Sequence, residues 1–219
     1  MGFFRATTVA AVAVAAASGG WFAAQTSWGA AGHEPRFPQL TMDQLTPAQR
    51  PVGEKIMKVS SVGIGGPYNP MIRSPEMAQR MYDLLDYLRW HTSVPTRLNE
   101  FAILIQGRLW RSQVEWYAHY PLALKAGLSE QVAADLKANK RPEGMKPDEA
   151  AVYDFCMELS TQQAVSDDTF ARAKAVLGEQ GVVDLTTLTG TYVTVAMLLS
   201  VAQEGVPPGK EPPFKAGER

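Results

Sequence analysis

Along most of the chain, apolar residues recur three and four positions apart, which is the period of amphipathic helices. Signals for helix starts precede these segments. Thr46, Pro47 and Gln49 supply a cap, a first-turn proline and a capping-box partner, and they predict a short helix that ends near Ser60. A capping Ser or a first-turn Pro opens each later helix, and these signals stand at Ser74, Pro75, Pro95, Ser112, Ser129, Pro147 and Ser166.

Apolar spacing also predicts how these helices pack. In the second helix, one buried face is predicted by Met77, Met81, Leu84, Leu85 and Leu88. The segment 179–201 has several threonines among Leu and Val, as strands often do, but its length and apolar spacing favour a helix. No strand–helix–strand alternation is evident, so we predict an all-α helical bundle in a single domain. The last helix is apolar nearly all round, more than one small bundle usually buries, so we expect a homo-oligomer.

The two ends of the chain differ in composition from the middle. Residues 1–32 carry no acid and one base, Arg5, followed by an Ala/Val-rich run and small residues at 29–31. This pattern predicts a secretory signal, and therefore export to a periplasm or beyond; the alternative is an uncleaved membrane anchor. We expect residues 33–213 to form the helical domain, with no stable membrane span after cleavage, and residues 214–219 to be a polar tail. The whole stretch from Pro207 onward is predicted to bury nothing.

Charge and cysteine content exclude several classes of function. The formal net charge is −1, which argues against nucleic acid as a partner, because phosphate binding needs a concentrated basic surface. Cys156 is the only cysteine, so neither an intramolecular disulfide nor a Cys-rich zinc site is possible. Its apolar helical setting predicts a buried, inert thiol. The glycine-rich loop SSVGIGGPYNP lacks the phosphate-loop pattern and is predicted to be a connector at the rim of a pocket.

A polar stripe within an aromatic helix is the main candidate for chemistry. Ser112, Glu115 and His119 are spaced three and four residues apart, so they share one helix face, and Glu100 on the preceding helix can fold back against them. A carboxylate and an imidazole on an apolar wall suit proton transfer, because burial and pairing move their pKa values toward neutrality. The alternative for Glu115 and His119 is an ordinary surface ion pair. Ser112 is a helix cap first and a substrate contact second.

The spacing of these four residues resembles that of the AhpD-like superfamily, which includes carboxymuconolactone decarboxylases and AhpD-type alkylhydroperoxidases. The similarity extends over 36–213 and includes RFPQLTMDQLTPAQR, GPYNPMIRSPEMAQRM, EWYAHYPLALKAGLSEQ and GEQGVVDLTTLTGTYVTVAMLL. In the peroxidase branch, two cysteines occupy the positions of Ser112 and Glu115. Both thiols are missing here, and a hydroxyl does not replace a thiolate in peroxide reduction. The resemblance therefore implies an AhpD-like bundle of the thiol-free, decarboxylase-like branch, forming trimers or hexamers.

We therefore expect a lyase that acts on a small carboxylated lactone, or on a related unsaturated or β-keto acid, without a cofactor. His119 is the predicted proton donor, with Glu115 and Glu100 orienting it. Arg108 or Arg111 is predicted to clamp a substrate carboxylate. The predicted substrate-binding set is Ser112, Arg108, Arg111, Trp116 and Tyr192.

Other chemistries have weaker support in the sequence. No HExxH or comparable triad indicates a catalytic metal, so we predict none, and no nucleophile elbow indicates a serine hydrolase. Two alternatives to the lyase stay open. One is residual peroxide reduction by Cys156 with an external reductant. The other is a secreted ligand-binding protein that has kept the fold without the chemistry.

Overall fold

The computed structural model describes residues 34–60 and 63–215, and within these ranges it contains α-helices and no strand. The predicted signal segment, 1–32, lies outside the described residues. The helices are α1 (Arg50–Val59), α2 (Tyr68–Met71), α3 (Pro75–Asp86), α4 (Thr96–Leu109), α5 (Gln113–Lys125), α6 (Glu130–Lys137), α7 (Pro147–Gln162) and α8 (Asp167–Ala202). The all-α prediction is confirmed.

Several helix starts follow the predicted capping residues, whereas α1 begins at Arg50, four residues after the predicted cap Thr46. Ser112, Ser129 and Ser166 each accept a hydrogen bond from the backbone N–H three residues later. The sequence predicts one helix that begins at Ser166 and another over 179–201, and the structure joins them in α8. Gly178 lies between the two parts with φ +70° and ψ 179°, which is outside the helical region and kinks the helix there.

Helix α4 is the centre of the bundle and packs against α5, α7 and α8. Every residue from Leu98 to Arg108 is buried, so this helix has no solvent-facing side over three turns. Its contact with α5 is close at Gly107, where an added Cβ would lie 3.5 Å from the Glu115 Cβ and 3.6 Å from the Trp116 nitrogen. A glycine at this position therefore lets the two helices that carry the polar residues approach each other.

Two packing predictions are wrong. The buried face of the second helix does not include Met77 or Leu84, which are both 37% exposed. The stretch after Pro207 is not free of buried residues, because Phe214 is only 2% exposed. Gln113 holds Phe214 by accepting a hydrogen bond from its N–H (2.9 Å) and donating one to its carbonyl oxygen (2.8 Å).

The outer face of α8 carries no charge over its second half. By length and composition α8 could span a bilayer, but 50% of its apolar window is buried inside the protein. Between 183 and 201 the one charged residue is Asp184, which is buried and accepts hydrogen bonds from Thr92 and Ser93. The exposed residues of this face, here called the α8 stripe, are Val183, Thr186, Gly190, Thr194, Met197, Ser200 and Val201.

Candidate active site

The centre of the site is a hydrogen bond between two buried residues on neighbouring helices. Glu100, in the middle of α4, and His119, in the second turn of α5, are 4% and 7% exposed. Their Oε2 and Nδ1 atoms are 2.6 Å apart. The close approach at Gly107 brings these helices together. The predicted meeting of Glu100 and His119 is therefore present in the structure.

The hydrogen bond to Glu100 determines which nitrogen of His119 is available. When Nδ1–H donates to the carboxylate, Nε2 of the neutral ring carries the lone pair. That atom lies 3.4 Å from the Tyr192 hydroxyl. Burial lowers the pKa of His119, although hydrogen bonding to Glu100 opposes this. Burial also raises the pKa of Tyr192, so its hydroxyl keeps its proton and can donate it to Nε2.

These pKa directions reverse the proton state expected from the sequence. The sequence predicts His119 as the proton donor. With a lowered pKa and Nδ1–H committed to Glu100, the imidazole is instead neutral near pH 7, and its Nε2 is a proton acceptor.

Glu115 is an isolated acid on the same face of α5. Its side chain is almost completely buried, and within the described part of the chain neither carboxylate oxygen has a hydrogen-bond partner. Burial raises its pKa from 4.5 to about 8, so it is mostly protonated at neutral pH. The alternative of an ordinary surface ion pair between Glu115 and His119 is therefore wrong. Ser112 is the cap of α5, accepting from the Glu115 N–H at 3.5 Å.

Arg89 is the site residue that sequence reasoning missed. It lies in the π-helical turn Tyr87–His91 that continues α3. Its Nη2 is 3.9 Å from the Glu100 Oε1, and its guanidinium lies over the Trp90 ring at 4.6 Å. Its Nε is buried and has no hydrogen-bond partner among the described residues. The sequence did indicate that Arg89 faces the interior, because it lies one helical turn beyond the buried Leu85 and so on the same helix face.

The two arginines predicted to clamp a carboxylate lie elsewhere, and this is a correction. Arg108 donates its Nε–H to the Lys137 carbonyl (2.9 Å) and stacks over the Phe214 ring at 5.5 Å. Arg111 is exposed, with φ +50° in the turn before α5. Neither is among the residues that line the cavity described next. Ser112 does not line it either.

A cavity of about 920 Å³ opens beside these groups. Glu115, His119 and Arg89 line it, and Gly65 and Gly66 form part of its wall, which confirms the predicted pocket-lining role of the glycine-rich loop. The predicted contacts Trp116 and Tyr192 belong to a ring of aromatic side chains around the cavity. That ring consists of Tyr68, Trp90, Trp116, Tyr117, Tyr120 and Tyr192.

Cys156 is separate from this cavity. It is fully buried between α7 and α8, where its sulfur lies 3.6 Å from the Thr189 hydroxyl oxygen. Burial raises the pKa of its thiol to about 12, so the thiolate is not formed at neutral pH. The predicted buried, free cysteine is confirmed. Among the described residues, no group of three or more His, Cys, Asp or Glu side chains is arranged to hold a metal ion.

Comparison with known proteins identifies the fold. No protein-family model matches the chain, and no curated protein matches it. A crystal structure does match, and it is described as an alkylhydroperoxidase AhpD core, an uncharacterised peroxidase-related protein from Ralstonia eutropha JMP134. The TM-score is 0.67 at 12% sequence identity, over 80% of this chain and 93% of that one. The bundle is therefore AhpD-like, as the spacing of the polar residues predicted.

Proposed function

We propose that the protein is a cofactor-independent lyase of the carboxymuconolactone decarboxylase type. The observation that carries this proposal is the pairing of a neutral acid with a neutral base at one cavity. Glu115 keeps its proton while His119 stays neutral, because burial disfavours the charged form of each side chain. Titratable groups whose pKa values are pushed apart in this way are typical of acid–base catalysis near pH 7.

The proposed reaction removes carbon dioxide from a carboxylated lactone, or from a related unsaturated or β-keto acid. The bond between the α-carbon and the carboxylate breaks, and its electron pair moves to the neighbouring carbonyl oxygen as an enolate. Glu115 then gives its proton to the α-carbon. A proton from solvent, taken up at the His119 Nε2, restores Glu115, so the net reaction consumes one proton and releases carbon dioxide. Glu100 stabilises the imidazolium that forms briefly.

The test is carbon dioxide release from a panel of carboxylated lactones and β-keto acids, run in heavy water. We expect deuterium at the carbon that lost the carboxyl group. His119→Ala should abolish turnover while the circular dichroism spectrum stays unchanged. The matched control is His91→Ala, since the His91 side chain is 64% exposed and pairs with Asp86 at the surface. Full turnover in His119→Ala would exclude this mechanism.

Peroxide reduction is the second candidate within this fold. It would require a reactive thiolate, and the burial and raised pKa of Cys156 disfavour one. Thiol-blocking reagents distinguish peroxide reduction from the lyase reaction, because only an activity that depends on cysteine should be lost. A third candidate is a binding protein without chemistry, and mass spectrometry of the recovered ligand distinguishes it, since that ligand would be returned unchanged.

We also propose that residues 1–32 direct export and that copies of the chain associate. The sequence pattern of the first 32 residues supports export. The mass of the mature protein recovered outside the cytoplasm checks this, and retention of the full 219-residue mass in the cytoplasm would contradict it. The uncharged α8 stripe supports association.

A further inference from the structure

The cavity is large for the small acid proposed above. Pockets that hold drug-sized ligands enclose roughly 300–1,000 Å³. A volume of about 920 Å³ lies at the upper end of that range. A ligand with a single small ring would leave much of the apolar wall in contact with water, and would gain little from burial.

The aromatic walls favour a flat ligand. Trp116 stacks on Tyr120 with ring centroids 6.2 Å apart and an angle of 15° between the planes, so two nearly parallel rings stand together in the wall. Burial raises the pKa values of Tyr68 and Tyr192, which keeps both phenols uncharged. Uncharged aromatic faces pack well against other flat rings.

Arg89 gives the cavity a cationic group with one unused donor. Its Nε has no hydrogen-bond partner within the described ranges, and its Nη2 forms an ion pair with Glu100 at 3.9 Å, which is too long for a hydrogen bond. Arginine binds carboxylates through two parallel N–H donors, and the Trp90 ring beneath the guanidinium fixes its plane. Lys137 also lines the cavity, but it is an exposed residue on α6.

We propose that this cavity binds aromatic carboxylic acids of at least two rings, with the carboxylate on Arg89 and the rings between the aromatic walls. The inference rests on the proposed function only because it takes this cavity as the substrate site. It adds that the substrate carries at least two aromatic rings and that Arg89 binds its carboxylate.

The experiment is isothermal titration calorimetry of the full chain with three probes. These are biphenyl-4-carboxylate, benzoate, which lacks the second ring, and biphenyl-4-methanol, which lacks the charge. We expect the biphenyl acid to bind about tenfold or more tighter than either of the others, because the second ring and the ion pair each contribute at least that factor. Equal affinities for benzoate and the biphenyl acid would refute the proposal that the ligand has at least two rings.

Variants test the anchor. Arg89→Gln should remove the preference for the acid over the alcohol, and Arg89→Lys should restore part of it. Lys137→Gln is the matched control, since it removes a cation from the same wall and should leave the preference intact. An unchanged preference in Arg89→Gln would refute the assignment. Thermal melting of each variant shows whether it has folded.

The outcomes separate this inference from the proposed lyase activity. His119→Ala should lose carbon dioxide release, whereas Arg89→Gln should lose the preference of binding for the biphenyl acid over the alcohol. Binding that persists where no carbon dioxide is released would support the site and refute the chemistry. Carbon dioxide release without measurable binding of either acid would support the chemistry and refute the substrate class.

Discussion

The protonated state of Glu115 can be tested without knowing the substrate, through the pH dependence of stability. Below pH 4.5 the Glu115 carboxyl is protonated in both folded and unfolded chains and contributes nothing to this dependence. Above pH 4.5 the Glu115 carboxyl ionises in the unfolded chain. In the folded protein it keeps its proton until the pH reaches its folded pKa of about 8. Stability is therefore lost as the pH rises from 4.5 to about 8, and the loss is complete above it.

The size of the effect follows from the pKa values. One pH unit corresponds to about 1.4 kcal/mol, so the loss between pH 5.5 and pH 8.5 is roughly 3 kcal/mol as an upper limit. Glu115→Gln replaces the acid with a group of similar shape that never ionises. The free energy of unfolding of this variant, relative to wild type, should therefore rise by up to that amount across the same interval.

Urea denaturation followed by circular dichroism, at pH 5.5, 7 and 8.5, measures this difference. Glu54→Gln is the control, because Glu54 is exposed on α1 and its substitution should leave the pH dependence unchanged. Parallel stability curves for wild type and Glu115→Gln would mean that Glu115 is ionised in the folded protein, and the acid role proposed for it would fail. We also expect Glu115→Gln to slow carbon dioxide release by roughly 10²–10⁴-fold, as for other losses of a general acid.

Further predictions concern packing and assembly. Phe214→Ala should lower the free energy of unfolding by about 3 kcal/mol, because it empties a buried site against Trp116; a melting temperature equal to wild type would contradict this. Met197→Glu puts a charge on the uncharged α8 stripe and should reduce a homo-oligomer to a monomer in light scattering. The control Met57→Glu changes an equally exposed residue, 47% against 46%, and should leave the mass unchanged; an oligomer that survives Met197→Glu would place the interface elsewhere.

Local features of the fold could be predicted from the sequence because they depend on neighbours in the chain. The caps at Ser112, Ser129 and Ser166 use a backbone N–H three residues away, so the pattern of residues is sufficient. The contact between Glu100 and His119 could not be predicted from neighbouring residues alone. Their spacing matched that of a known superfamily, and this indicated a contact between two helices that periodicity alone does not define.

The remaining features depend on contacts distant in sequence. Arg108 looked suited to a carboxylate, but its guanidinium is occupied by the Lys137 carbonyl and the Phe214 ring, neither of which is visible from the sequence around it. Arg89, to which we assign this role instead, lies beside Glu100 because of the π-helical turn after α3. The proton state of His119 depends on how deeply the bundle buries it, which a polar stripe does not reveal.

The pairing of Gln113 with Phe214 joins residues that are 101 positions apart. Phe214 packs against Trp116, and Pro213 contributes to the cavity wall, so that wall includes a segment far from α5 in the sequence. Because synthesis proceeds from the N-terminus, Pro213 and Phe214 leave the ribosome after every residue of α5. A nascent chain therefore carries Glu100, Glu115 and His119 before it carries the segment that completes this wall.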